Sequence, residues 1–282
     1  MKVTNIDLYK YFGWDRPSKS AKGILHGIFF DEETDEFDKK RVHPMMLIFP
    51  GGGYLQISHR ESIPPCLAFL RYGYNCFYLE YSTAPKDRYP TQLIEAMMAL
   101  TYLYKKAKDM NSDPNKIVAC GFSAGAHLAG LLATATEVER GLFYPLDKCG
   151  AHLKGIIYSY PVVVENGCAN SVDNLLGENH IKKNYSLLNR LDGYDLPSFI
   201  WTGEKDTTVD PDENAKALHK ELLKIKVPTE LVLFPNADHG YSTGDVATYS
   251  LKDSDIEKRK EVVSWVEKAA EFLMKNDAGL SR

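Results

Sequence analysis

From about residue 45 onward, short apolar runs alternate with longer segments of helical periodicity. The runs are rich in Ile, Val, Phe and Tyr, and several are apolar at consecutive positions, which is typical of strands buried on both faces. They lie at 45–49, 75–81, 116–120, 155–160, 198–202 and 230–234. The helical segments lie at 91–108, 124–136, 211–226 and 256–275. This order predicts an α/β fold with a mostly parallel sheet of about eight strands and helices on both faces.

The rest of the chain indicates how that sheet is completed. Residues 23–30 are predicted to add an antiparallel strand at one edge, ahead of an acidic turn at 31–38. No linker or internal repeat divides the sequence, so a single domain over 1–282 is expected. Residues 162–196 are polar and lack a clean period. They are either an insertion over the active site that shapes a substrate pocket or an irregular surface excursion.

Bulk composition excludes several classes of partner. The net charge of −4 is small and unconcentrated, which predicts no nucleic-acid or membrane partner. Five scattered cysteines without a C-x-x-C pair do not suggest disulfides or a zinc site. The N-terminus lacks an apolar signal core, and no run approaches 18 apolar residues, so a cytoplasmic location is expected. The sequence does not indicate an oligomeric state.

A glycine-bounded serine follows one of the predicted strands. The sequence Gly-Phe-Ser-Ala-Gly at 121–125 lies between the strand at 116–120 and a helical segment that begins at Ala124. A sharp strand-to-helix turn strains the serine backbone and requires small neighbours two residues away on each side. Ser123 is therefore predicted to be a nucleophile, with a plain turn as the alternative. The N–H of Ala124, at the helix start, would face bound negative charge.

Three consecutive glycines follow the strand at 45–49. Glycine weakens strands, but it lets backbone amides approach a ligand closely. The N–H groups of Gly52 and Gly53 are thus candidates for the second oxyanion donor, opposite Ala124, and which glycine donates stays open. A phosphate loop is the rival interpretation, but its lysine and hydroxyl residue are absent. A flexible turn is the remaining alternative.

The loops after the last two predicted strands supply an acid and a base. Asp206 follows the strand at 198–202, and Glu204 is the second choice. Asp210 precedes a proline at a helix start and is predicted to be an N-cap. His239 is the only one of eight histidines in the loop after the strand at 230–234. His127 lies one helical turn beyond Ser123 and is expected to pack or support.

The chain order Ser123, Asp206, His239 is nucleophile, acid, base, as in one known architecture. Here the sequence resembles the α/β-hydrolases, and specifically small bacterial acetyl-esterases and xylan-esterase-like carboxylesterases. The resemblance extends from about Val42 over nearly the whole chain. It is carried by FPGGGY, HRES, YSTAP, GFSAGAHLA, NLLGE, GEKDTTVDPDENA and FPNADHG. One departure is Pro50, where many relatives have histidine before the glycines; the exact donor and acyl pocket are less defined as a result.

The resemblance implies hydrolysis of short-chain acyl esters, acetyl esters of sugars included, through a serine acyl-enzyme. It implies no metal or organic cofactor and a small-molecule ester as the partner. Tyr54, Arg60, Tyr81 and Tyr160 each lie near a strand end or the glycine loop and are candidates for the substrate pocket, with packing as the alternative. Two other functions stay open: a peptidase of the same fold, and a non-catalytic hydrolase-like binding module. The polar segment 162–196 argues against a lipase lid.

Overall fold

One eight-stranded sheet runs through the structure, a computed structural model that describes residues 1–30, 41–165, 170–178, 180–249 and 256–280. In chain order its strands are β1 (Lys2–Asp7), β2 (Ile24–Phe29), β3 (His43–Phe49), β4 (Asn75–Glu80), β5 (Ser112–Phe122), β6 (Gly155–Ser159), β7 (Ser198–Gly203) and β8 (Thr229–Phe234). Their spatial order is β1-β2-β4-β3-β5-β6-β7-β8. Strands β3 to β8 are parallel, and β2 is antiparallel to both of its neighbours. The predicted mostly parallel sheet of about eight strands is confirmed.

The beginning of the chain differs from the prediction. The strand predicted at 23–30 is antiparallel, but it is not an edge strand, because β1 pairs along its outer side from Lys2 to Asp7. Strand β1 is largely exposed and contains Thr and Asn, so it has no apolar run to mark it. The acidic turn predicted at 31–38 lies outside the described residues, as does Cys168. The other four cysteines are free thiols.

Helices follow most of the strands. They are α1 (Leu8–Phe12), α2 (Ile63–Leu70), α3 (Thr91–Lys106), α4 (Ala124–Ala133), α5 (Glu137–Gly141), α6 (Pro145–Cys149), α7 (Ser171–Leu176), α8 (Ala217–Lys224), α9 (Ile256–Val262) and α10 (Trp265–Lys275). The helix predicted at 211–226 begins with a π-turn at Asp212–Lys216 before α8. The helix predicted at 256–275 is interrupted between α9 and α10. None of the described helices is long and apolar enough to cross a bilayer.

The core lies on both faces of the sheet. Consecutive residues of β3 point to opposite faces, so Leu47 joins one buried cluster and Ile48 the other. Helices α3 and α4 pack on the first face, and α2 and α10 pack on the second. Burial on both faces explains why the central strands are apolar at consecutive positions. Because neighbouring strands from β3 through β5, β6 and β7 to β8 are parallel, their carboxyl ends lie along the same side of the sheet.

Candidate active site

Ser123 lies at the sharp turn between β5 and α4. Its backbone has φ 53° and ψ −119°, a region that residues with side chains rarely adopt. A Cβ added to Gly121 would lie 2.3 Å from the Cα of Ala126, and one added to Gly125 would lie 2.1 Å from the carbonyl oxygen of Phe49. Only glycine fits at either position. The turn holds Ser123 at the edge of the sheet with 8% of its surface exposed.

A hydrogen-bonded chain of three side chains begins at this serine. The Oγ of Ser123 is 2.9 Å from Nε2 of His239, and Nδ1 of His239 is 2.7 Å from Oδ2 of Asp206. A carboxylate can only accept, so Nδ1 donates, and in the neutral tautomer with that proton Nε2 is the nitrogen that can accept the serine proton. The other oxygen of Asp206 accepts the N–H groups of Thr208 and Val209, at 2.9 and 2.8 Å. These bonds fix the orientation of the Asp206 carboxylate, which in turn fixes the orientation of the His239 imidazole.

The alternative acids lie elsewhere. Glu204 is exposed. One oxygen of Asp210 accepts the N–H groups of Asp212 and Glu213, at 2.8 and 3.0 Å, which is the capping role that the sequence predicts for it. His43, another of the eight histidines, is buried away from this site, and its Nδ1 is hydrogen-bonded to the carbonyl of residue 73. Asp206 is therefore the carboxylate, of the three candidates, that the fold connects to Ser123 through His239.

The glycine loop leaves backbone donors beside the serine. In the described part of the chain, the N–H groups of Gly52, Gly53 and Ala124 form no hydrogen bond. The two glycines have φ values of 125° and 61°, which glycine adopts without the strain that a side chain would cause. The N–H of Gly51 points elsewhere, to a carboxylate oxygen of Glu61 at 2.8 Å. The structure thus leaves all three predicted oxyanion donors unpaired.

The four candidate pocket residues divide into two kinds. Tyr54, Tyr81 and Tyr160 are fully buried. The hydroxyl of Tyr54 bonds to Nδ1 of His127 at 2.9 Å, and that of Tyr81 donates to the carbonyl of Pro50 at 2.6 Å. These contacts support the glycine loop from behind. Arg60 is the exposed member, and its guanidinium lies beside Gly240, next to the histidine loop.

His127 connects three segments around the nucleophile. Its Nε2 lies 2.7 Å from the carbonyl of Tyr185, and its Nδ1 lies 2.9 Å from the hydroxyl of Tyr54. Burial lowers its pKa to about 4, so the ring is neutral and donates from Nε2. The expected supporting role of His127 agrees with these contacts.

Some supporting residues escape sequence reasoning. Glu61 stands in the HRES sequence, but nothing local shows that its carboxylate reaches back to the glycine loop. Asn174 of α7 donates its Nδ2–H to the carbonyl of Gly53 at 3.0 Å, so segment 162–196 contacts the site. The indole N–H of Trp265 donates to the carbonyl of Ser242 at 2.9 Å, in the loop that carries the histidine. All are long-range contacts, which one sequence does not reveal.

Sequence comparisons with known proteins identify the family of this chain. The BD-FAE family model matches residues 34–222, about two thirds of the 282 residues. The chain belongs to the BD-FAE family. A curated relative of this family member is Endo-1,4-beta-xylanase B of Butyrivibrio fibrisolvens, 31% identical over 242 residues. That match covers 82% of this chain and 37% of the relative, so the chain spans little more than a third of the xylanase.

A solved α/β-hydrolase enzyme from a deep-sea metagenome, 26% identical over 98% of both chains with a TM-score of 0.72, places this BD-FAE chain among the α/β-hydrolases. A carboxylesterase of Lactobacillus plantarum superposes with a TM-score of 0.84 at 20% identity and covers both chains fully. An acetyl ester-xyloside bifunctional hydrolase of Caldicellulosiruptor lactoaceticus gives a TM-score of 0.77 at 26% identity, over 98% of this chain and 97% of that one. The predicted resemblance to esterase-type α/β-hydrolases is confirmed at the level of family and fold.

Proposed function

We propose that this protein is a serine carboxylesterase that hydrolyses short-chain acyl esters through an acyl-enzyme. The observation that carries the proposal is the hydrogen-bonded chain from Ser123 through His239 to Asp206, with bonds of 2.9 and 2.7 Å. Ala124, next to Ser123 in the chain, and Gly52 and Gly53 of the adjoining glycine loop have backbone N–H groups without partners among the described residues. A nucleophile, an oriented base and oxyanion donors are what acyl transfer needs.

Each group has one role in the proposed mechanism. His239 takes the proton of Ser123 as Oγ attacks the ester carbonyl, and the imidazolium that forms is stabilised by Asp206. The N–H of Ala124 and that of Gly52 or Gly53 bind the oxyanion. His239 then gives its proton to the alcohol as that leaves. A water molecule, activated by the same base, hydrolyses the acyl-enzyme and restores Ser123.

Acetyl groups on sugars are the substrate class we propose. Two relatives support it by their names, one as a xylanase and one as an acetyl ester-xyloside hydrolase. Rates on acetyl, butyryl and octanoyl esters of p-nitrophenol, together with acetate release from acetylated xylo-oligosaccharides, test this choice. Acetate release from the sugars well above the rate on simple esters is the expected result, and faster turnover of octanoyl esters would contradict it.

The esterase function itself is tested by Ser123→Ala. We expect kcat for p-nitrophenyl acetate to fall by at least about 10³-fold, because the nucleophile is lost while the fold remains. Ser264→Ala is the matched control: Ser264 is exposed and its side chain caps no helix, so wild-type turnover is expected. Ser123→Ala with undiminished turnover would move the activity to another site. A folded wild-type protein without activity on any ester would favour the binding-module alternative.

A further inference from the structure

Glu61 is a buried carboxylate behind the glycine loop. It ends a short 3-10 turn at His59–Glu61 and is only 3% exposed. Its Oε2 accepts the N–H of Gly51 at 2.8 Å, and its Oε1 accepts the hydroxyl of Tyr160 at 2.6 Å. No lysine or arginine of the described residues forms an ion pair with it. Burying a carboxylate without a cation is costly, so these two donors are what holds it in place.

The same carboxylate lies close to the nucleophile. A Cβ built on Gly51 would be 2.8 Å from Oε2 of Glu61 and 3.1 Å from Cβ of Ser123. The two side chains therefore lie against one face of Gly51, and only glycine leaves room for both. The unpaired N–H groups of the loop follow directly in the chain, at Gly52 and Gly53. A shift of Glu61 would thus be transmitted to the proposed oxyanion donors.

Tyr160 extends the contact to the base. Its hydroxyl accepts the N–H of Ser242 at 3.1 Å while it donates to Glu61. Its ring meets the imidazole of His239 edge-on, with the ring centroids 4.8 Å apart. Burial, followed by the charge of Glu61, raises the pKa of Tyr160 well above its ordinary value, so the phenol remains a donor. The hydroxyl of Ser242 closes the ring of contacts by donating to the carbonyl of Arg60 at 2.6 Å.

We propose that Glu61 is a positioning residue: through Gly51 and Tyr160 its carboxylate holds the oxyanion loop and the histidine loop in register with Ser123. This role rests on the proposed esterase function and adds a residue to it. Two successive glycines give the loop wide conformational freedom, and donors stabilise a transition state only if they are fixed before it forms. Glu61 supplies that fixing at the first residue of the loop.

The test is Glu61→Gln with p-nitrophenyl acetate as substrate. Glutamine replaces one of the two carboxylate oxygens with an NH2 group and removes the charge, so the bonds from Gly51 and Tyr160 cannot both be accepted at their present positions. We expect kcat to fall roughly 10- to 100-fold while KM changes less than about threefold, because oxyanion donors act mainly in the transition state. Tyr160→Phe should lose roughly five- to tenfold, and the double variant should be no slower than Glu61→Gln, since both break one network. Tyr160→Phe keeps the ring against His239, so it carries the test if Glu61→Gln fails to fold.

Glu95→Gln is the matched control. Glu95 is also buried and also accepts one tyrosine hydroxyl, from Tyr9 at 2.9 Å, and one backbone N–H, from Ser82 at 2.6 Å; it accepts the hydroxyl of Ser82 in addition. It contacts no residue of the triad among its described hydrogen bonds, so kcat should stay within about twofold of the wild type. Equal losses in the two variants, or unchanged kcat in Glu61→Gln, would overturn the positioning role while leaving the esterase function intact. Absence of turnover in the wild type would instead overturn the proposed function.

Discussion

At the scale of single residues, the site depends on two positions that have no room for a side chain. Gly121 and Gly125 lie two residues on either side of Ser123, and each faces backbone atoms closer than any real Cβ contact. The strained φ of 53° at Ser123 survives because β5 and α4 fix the chain on both sides. The G-x-S-x-G spacing is therefore a packing requirement as well as a motif.

Gly125→Ala should abolish folding or leave an inactive protein. Its Cβ would lie 2.1 and 2.4 Å from the carbonyl oxygens of Phe49 and Pro50, and backbone atoms cannot move aside cheaply. Gly141→Ala provides the contrast, since a Cβ there meets nothing within 4 Å and the residue ends α5. Circular dichroism and soluble yield of the two variants measure the difference. A folded, fully active Gly125→Ala would contradict the tight approach of α4 to the glycine loop.

At the scale of elements, segment 162–196 is hydrogen-bonded directly to the glycine loop. Helix α7 places the side-chain amide of Asn174 on the carbonyl of Gly53, and the carbonyl of Tyr185 bonds to His127 behind the nucleophile. The sequence leaves open whether this segment shapes the site or is a surface excursion. These two bonds show that the segment contacts the glycine loop and His127, and its role in shaping a substrate pocket stays a prediction.

Asn174→Ala should lower kcat/KM for p-nitrophenyl acetate by roughly three- to tenfold. Loss of one hydrogen bond frees the third glycine of a flexible loop, and the cost of a typical bond is about 1 kcal/mol. Asn189→Ala is the matched control, because Asn189 also donates its side-chain N–H to a backbone carbonyl, that of Lys183, but on the exposed surface. Identical kinetics of the two variants would separate α7 from the site.

The strands are easier to predict from the sequence than the helices and the supporting residues of the site. Strands β3 to β7 are predicted within a few residues because burial on both faces leaves continuous apolar runs. The edge strand β8 is only partly buried, but its run Leu-Val-Leu-Phe still predicts it. Helix α2 is not predicted, since it has only eight residues and two consecutive prolines, at 64–65, lie in its first turn, where they interrupt the apolar pattern. Ser123, Asp206 and His239 are visible because each follows a strand end. Glu61 and Asn174 are not, because their partners lie 10 and 121 residues away along the chain.

At the scale of the whole molecule, two buried groups link stability to pH with opposite signs. Burial lowers the pKa of His127 from 6.5 to about 4 and raises that of Glu95 from 4.5 to about 7. Between pH 4 and 6.5 the unfolded chain protonates His127 and the folded chain does not, so stability increases as pH rises. Between pH 4.5 and 7 only the folded chain protonates Glu95, so stability decreases as pH rises.

The two contributions should largely cancel between pH 4.5 and 6.5, and single substitutions should reveal them. Each shift corresponds to about 3 kcal/mol across its window. Relative to the wild type, Glu95→Gln should gain unfolding free energy as pH rises through this window, whereas His127→Gln should lose it. Urea unfolding at several pH values measures both trends, and the other titrating groups cancel in the comparison. Parallel pH profiles in wild type and both variants would contradict the assigned protonation states.

The indole of Trp265 that bonds to the histidine loop has a spectroscopic consequence. It stacks on Trp201, with centroids 5.0 Å apart, and Trp201 donates its N–H to Ser159 at the end of β6. Two of the three tryptophans thus lie near His239: Trp201 contacts Tyr160, which contacts His239, and Trp265 bonds to Ser242. Trp14 packs elsewhere, just after α1. Intrinsic fluorescence will therefore report on the loop that carries His239. Displacement of that loop when a ligand binds next to Ser123 becomes readable as a change in emission, without a chromogenic ester.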